Sequence, residues 1–323
     1  MPLTDEQLST ASRVIGALRS EIHKAVVGQD EVVDQTLTAL LAGGHVLLEG
    51  VPGLGKTLLV RALARTFDGT FARIQFTPDL MPADVVGHTL FDANGQFITR
   101  RGPVFTHLLL ADEINRAPAK TQSALLEVMQ ERQVTIEGEP LPVPEPFMVL
   151  ATQNPVEHEG TYPLPEAQLD RFLLKVRIDY PSAADEALLT RQVTLGKVGA
   201  DLDVDDVAVT VKPANIVELQ RAAAMIEVDE RIFAYAVAIV RATRNQPGIA
   251  LGAGPRGSIA LVRSARGHAL AAGRAYVTPD DIRDIAIPAL RHRIGTSADA
   301  EIEGLSADTL LANLLDKIPA PRS

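Results

Sequence analysis

The chain has 323 residues, is 46% hydrophobic and 22% charged, and carries a formal net charge of −10 at pH 7. That composition supports a packed core and two domains of ordinary size, and excludes a disordered chain. Cysteine is absent, which excludes disulfides and thiolate metal sites, and the net acidity argues against a duplex DNA binder.

The seven histidines form no HExxH or HxxxH pair. The N-terminus, Met1-Pro2-Leu3-Thr4-Asp5-Glu6, lacks the basic and apolar segments of a signal peptide, and no apolar run approaches the ~18 residues of a membrane span. A soluble, cytoplasmic protein is expected.

In chain order, five short apolar runs predict strands: His45–Glu49, Phe71–Phe76, His107–Ala111, Phe147–Thr152 and Phe172–Ile178. Most are apolar on both faces, as a parallel sheet covered by helices on both sides requires. Helical patterns at Leu58–Phe67 and Ala119–Gln130 lie between them, so residues 1–181 read as an α/β doubly wound domain.

Two intervals are too long to be plain connections. Thr77–Val104 contains Asn94-Gly95 flanked by apolar residues, a strong hairpin signal. Arg132–Pro146 reads as a second hairpin, turning at Glu137-Gly138 and guarded by prolines. After Pro181 helical periodicity takes over at Ala184–Gly196, Pro213–Met225, Asp229–Asn245, Ser258–Ala272 and Pro279–His292. Residues 182–323 are therefore expected to form a smaller, all-helical domain.

Gly50-Val51-Pro52-Gly53-Leu54-Gly55-Lys56-Thr57 fits GxxxxGK[ST], with a strand before it and a helix opening at Leu58. In that setting the glycines let backbone N–H groups wrap phosphates. Lys56 reaches the β and γ phosphates, and the Thr57 hydroxyl serves Mg2+. ATP and Mg2+ are the expected cofactors. Leu108–Glu113 is a strand ending in two acids: Asp112 to hold Mg2+ through its water shell, and Glu113 to polarise the attacking water. Asn154 ends another strand. As an isolated dipeptide Asn154-Pro155 reads as a turn, but in register with the other strand ends Asn154 can position a water. Arg256 follows Pro255 at a helix start, where a cation opposes the helix dipole, and a bound anion would relieve that conflict. Arg171, in Leu169-Asp170-Arg171-Phe172, reads by itself as well as a surface ion pair.

Together these motifs resemble the AAA+ ATPases, and most closely the MoxR family, over roughly Val27 to Arg256. The resemblance identifies Gly50–Thr57 as Walker A, Asp112 and Glu113 as Walker B, Asn154 as sensor 1 and Arg256 as sensor 2. It makes Glu166–Phe172 an arginine-finger segment whose Arg171 reaches the next protomer's nucleotide. It lays Val26-Val27-Gly28-Gln29 against adenine, and makes the two hairpins the inserts of the clade that includes magnesium chelatase and the replicative MCM helicases. The implied protein is a homo-oligomeric, hexameric remodeller of protein complexes. Its implied partners carry von Willebrand factor A domains, and its implied role is maturation or metal insertion. Lys56 and Arg256 are the cations expected at the chain's own site. The alternative is a nucleic-acid motor of the same clade, which the net acidity disfavours. A nucleotide-gated scaffold and a small-molecule kinase fit less well, given Glu113, Asn154 and the two hairpins.

Overall fold

The computed structural model describes residues 3–51, 53–91, 96–153, 162–194 and 203–321. Two helices not anticipated above, α1 (Asp5–His23) and α2 (Asp30–Leu41), precede the first strand. Thr4 caps α1 reciprocally with Gln7, satisfying orphan amides at its first turn. Next come β1 (Val46–Glu49), α3 (Lys56–Thr66), β2 (Phe71–Gln75), α4 (Pro82–Val86), β3 (Gly87–Phe91), β4 (Phe97–Arg101) and β5 (Leu108–Asp112). A single 3-10 turn, Ile114–Arg116, leads to α5 (Ala119–Glu131), β6 (Gln133–Ile136), β7 (Glu139–Pro142), β8 (Met148–Gln153), α6 (Glu166–Leu169) and β9 (Leu174–Arg177).

The five predicted core strands form one parallel sheet in the order β2-β5-β8-β1-β9. Their alternation divides the interior in two. Val46, Leu48, Leu108 and Leu110 face one core with α1, α2 and α3; Leu47, Leu109, Ala111, Val149 and Ala151 face the other with α5. The three central strands, β1, β5 and β8, thus bury both faces and lack a polar side, while the edge strands β2 and β9 each keep one polar face, carrying Arg73 and Gln75, and Lys175 and Arg177. The parallel register sets the C-terminal ends of β1, β5 and β8 along one edge of the sheet, where the connecting loops open a crevice.

Both hairpins are present. β3 pairs antiparallel with β4, and its tip, Asp92–Gly95, lies outside the described residues. β6 pairs with β7 across Glu137 and Gly138, both with positive φ. Val134 and Ile136 are buried, while Pro140 and Pro142 sit in β7.

The C-terminal part comprises α7 (Ala183–Thr194), α8 (Pro213–Met225), α9 (Glu230–Thr243), β10 (Ile249–Leu251), α10 (Pro255–Ala271), α11 (Pro279–Leu290), β11 (Gly295–Thr296), α12 (Ala298–Ile302) and α13 (Ala307–Leu315). It is not purely helical, because β10 and β11 form a short antiparallel ribbon. These strands are two and three residues long, below the length at which alternation can be read. Thr278 caps α11 with Asp281, and Pro279 occupies its first turn. Buried residues of α8, α9, α10, α11 and α13 join the same apolar cluster as α1, α2 and α3, so the helical part packs directly on one side of the sheet. Among the described residues, no helix is long and apolar enough to cross a membrane.

Candidate active site

β1 delivers the chain to the sheet edge at Glu49, and α3 begins at Lys56. Between them, Gly53 (φ +87°) and Gly55 (φ +79°) adopt left-handed backbone that side-chain-bearing residues rarely reach. A Cβ on either would meet nothing within 4 Å, so both face the open space of the cradle. Gly50 and Leu54 belong to this loop, while Pro52 lies outside the described residues. The Lys56 ammonium donates to the Gly50 carbonyl. Burial pushes its pKa down, and Asp112, Glu113 and Glu49 counter that. Glu49 is itself ion-paired to Lys175 at 2.5 Å and Arg177 at 3.1 Å; these cations outweigh burial and hold its carboxyl below the usual range.

A cavity of about 360 Å3 opens beside the loop, lined by Gly53, Gly55, Lys56, Thr57, Leu58 and the two acids ending β5, among others. Because β5 lies between β2 and β8, its acids receive partners from both. The Thr152 hydroxyl donates to Asp112 Oδ1 at 2.6 Å and accepts the Glu113 N–H at 2.8 Å. From β2, Arg73 donates to Asp112 Oδ2 at 2.6 Å, and Gln75 Nε2 donates to Glu113 Oε2 at 2.7 Å. Arg116 also pairs with Glu113 Oε2 at 2.9 Å. Glu113 has φ 55° and ψ 49°, a left-handed conformation uncommon outside glycine and one that recurs at functional sites.

The donor set suits a small hard cation and a polyphosphate. Thr57 offers a hydroxyl and Asp112 a carboxylate, both oxygen donors of the kind Mg2+ takes, while the glycine cradle and Lys56 suit phosphate oxygens. Among the described residues, no group of three or more His, Cys, Asp or Glu could hold a metal by itself.

The other expected site residues fall in three places. Val27, Gly28 and Gln29 lie near the end of β9, on the cradle side: Gln29 Nε2 donates to the Asp179 carbonyl at 2.9 Å, and Gly28 packs against Asp185 at the start of α7. They do not line the 360 Å3 cavity. Asn154 lies outside the described residues. Arg171 and Arg256 are together, but at the opposite edge of the sheet. They line a second cavity, of about 340 Å3, with Gly43 and Gly44 before β1 and Asp170 before β9. Arg171 donates to the Leu126 carbonyl at 2.8 Å, and Arg256 lies 3.9 Å from Asp170. In this structure Arg256 stands away from the chain's own P-loop, in a different cavity. The length of β1, at ~3.3 Å per residue, keeps the two cavities roughly 10 Å or more apart. The physical reason is the packing of α10 on α2, which sets the start of α10 beside Asp170.

Thr152, Arg73 and Gln75 were not anticipated as site residues. Arg73 and Gln75 carry a weak signal, being polar residues two apart on one face of an otherwise apolar strand. Thr152 carries none, since a threonine in a buried strand is unexceptional.

Comparison with known proteins gives the family and the fold. The ATPase family associated with various cellular activities (AAA) matches residues 45–174, and the AAA lid domain matches residues 241–314. An uncharacterized Bacillus subtilis protein, YeaC, is 44% identical over 96% of this chain and 96% of its own. "Chaperone MoxR1" of Mycobacterium tuberculosis is 44% identical over 94% of this chain and 81% of its own. "Protein MoxR" of Methylorubrum extorquens is 34% identical over 93% of each. A crystal structure of a Cytophaga hutchinsonii protein superposes with a TM-score of 0.90 at 41% identity, covering 98% of both chains. A P-loop and two strand-end acids on a β2-β5-β8-β1-β9 sheet, with a lid domain behind them and near full-length relatives of this kind, place the chain in the MoxR family of AAA+ ATPases.

Proposed function

We propose that the protein is a Mg2+-dependent ATP hydrolase that works as a homo-oligomeric, hexameric ring and remodels protein complexes in the cytoplasm. The observation carrying this reading is the separation of its parts: the P-loop and acids stand at one edge of the sheet, and Arg171 and Arg256 at the other. Phosphoryl transfer needs cationic charge at the γ-phosphate beyond Lys56, and an arginine there can be worth ~10³–10⁵ in rate. Arg61 and Arg73 also line the P-loop cavity, but Arg73 is engaged by Asp112; Arg171 and Arg256, held away from the chain's own P-loop, are suited to serving a neighbour's.

Within one protomer, the cradle amides and Lys56 bind and orient the phosphates. Thr57 and Asp112 would hold Mg2+, which when bound neutralises charge on the β and γ phosphates. The Glu113 carboxylate takes the proton of the attacking water, with Thr152 on the adjacent strand β8 fixing the acid pair. Asn154 and the Val27–Gln29 segment are assigned to water positioning and the adenine side. Residues 1–181 form the nucleotide-binding unit and 182–323 the lid.

The remodelling role draws on the relative named a chaperone. A von Willebrand factor A domain partner and a part in maturation or metal insertion follow from the family resemblance. The test is subunit mixing. Lys56→Ala and either Arg171→Ala or Arg256→Ala, each inactive alone, should regain activity when co-assembled, because intact arginines of one serve the intact P-loop of the other. No recovery in stably mixed rings would overturn the shared site.

A further inference from the structure

Arg293, just beyond α11, is buried with its side chain 3% exposed. It spends its guanidinium on a single turn of the α/β part. Nε donates to Asp170 Oδ1 at 2.8 Å, and the terminal nitrogens donate to the carbonyls of Asp170 at 3.3 Å, Phe172 at 2.6 Å and Leu173 at 3.1 Å. It also bonds the Ala289 carbonyl of its own helix. Neighbouring His292 adds a hydrogen bond between Nε2 and the Phe172 carbonyl at 3.0 Å.

These bonds bracket Arg171 without touching it. Among the described residues the Arg171 guanidinium donates to the Leu126 carbonyl, and Arg171 lines both the 340 Å3 cavity and a neighbouring one of about 440 Å3 beside α5. The Asp170 carboxylate is divided in the same way: Oδ1 takes Arg293, while Oδ2 faces Arg256 at 3.9 Å. Asp170 is the one acid among the described residues lining a cavity that also holds Arg132, Arg171, Arg256, Arg263 and Arg293. Arg256 comes from the lid and Arg171 from the α/β part, so holding both at one spacing requires a rigid link between the two parts.

We propose that Arg293 is a positioning residue. Through Asp170 and the 170–173 backbone it fixes Arg171 and Arg256 as one pair, presented together to the phosphates in a neighbouring protomer. This rests on the shared-site reading above. A misplacement of about 1 Å at a phosphate-directed group can cost on the order of a hundredfold in rate, so a rigid clamp matters here more than its own bonds.

The test again uses mixed rings, with Lys56→Ala plus Arg171→Ala as the control. Rings of Arg293→Met alone should lose about tenfold or more in kcat, with the affinity for a fluorescent ADP analogue unchanged. Mixing Arg293→Met with Lys56→Ala should restore turnover, because the clamp is intact on the subunit that lends its arginines. Lys56→Ala carrying Arg293→Met should fail to rescue Arg171→Ala. Rescue by that double variant as good as by Lys56→Ala alone would overturn the inference while leaving the shared site standing. A failed control would remove both. Should Arg293→Met not assemble, Asp170→Asn, which keeps volume and loses charge, decides the question in the same mixtures.

Discussion

Thr152 donates its hydroxyl proton to Asp112 Oδ1 at 2.6 Å, and the same oxygen accepts the Glu113 N–H at 2.8 Å. One side chain on β8 thus orients both acids at the end of β5. The hydroxyl can donate only once, so the direction of both bonds is determined. Supporting hydrogen bonds of this kind typically matter by about 10–100-fold when removed. Thr152→Val preserves shape and deletes both bonds. It should lower kcat by about that factor and raise the Mg2+ concentration for half-maximal turnover, with ADP affinity little changed. A Mg2+ titration of phosphate release reads this directly, and an unaltered curve would refute the role given to Thr152.

The two halves of the site should separate cleanly under substitution. Lys56→Ala removes the cation of the phosphate cradle and should abolish nucleotide binding. Glu113→Gln leaves the cradle and Asp112 in place, so binding should persist while turnover falls by about 10²–10⁴-fold, the usual worth of a positioned base. Titration calorimetry with ATP, beside single-turnover hydrolysis, distinguishes the two. Equal loss of binding in both variants would count against Glu113 as the base.

The first hairpin carries an aromatic pair that does not line the P-loop cavity. Phe91 and Phe97 face each other across β3 and β4 with centroids 4.9 Å apart, yet are 65% and 78% exposed. Exposed aromatics grouped in this way are more often contact residues than packing residues. Phe91→Ser with Phe97→Ser should leave basal turnover within about twofold and stability nearly unchanged, as expected for exposed positions. Stimulation of turnover by a permanently unfolded polypeptide should be lost. Equal stimulation in variant and parent would make the hairpin decoration.

Histidines give the molecule opposed pH responses. His45, just before β1, is buried between the Met129 carbonyl and the Val149 N–H, and burial with Arg132 and Arg263 nearby lowers its pKa to about 4. The unfolded chain takes up that proton near 6.5, so His45 contributes stability above that value and loses it as pH falls towards 4. By linkage this amounts to about 3 kcal/mol. His268 runs the other way: its hydrogen bond to Asp281 outweighs burial and raises its pKa. Its contribution is complete below its unfolded value and lost as pH rises through the raised one. Melting temperatures of His45→Gln should therefore depend less steeply on pH between 6.5 and 4 than those of the parent. Parallel curves would show that His45 is not the titrating group.

The sequence by itself determined whatever depends on neighbours along the chain. The apolar runs at β1, β5 and β8 became the centre of the sheet because a strand buried on both faces carries no polar alternation. Gly53, Gly55, Lys56 and Thr57 became the cradle because their roles are local: two left-handed glycines, then a helix start. Thr278, Pro279 and Asp281 announced α11 for the same reason. What the tertiary structure alone decided depends on the order of strands and the seating of helices. Arg73 and Thr152 meet Asp112 only because β5 lies between β2 and β8, an order that spacing along the chain does not encode. Arg256 stands beside Asp170 and away from its own P-loop only because α10 seats on α2. That choice is made by apolar faces more than two hundred residues apart in the chain, and no local pattern around Arg256 records it.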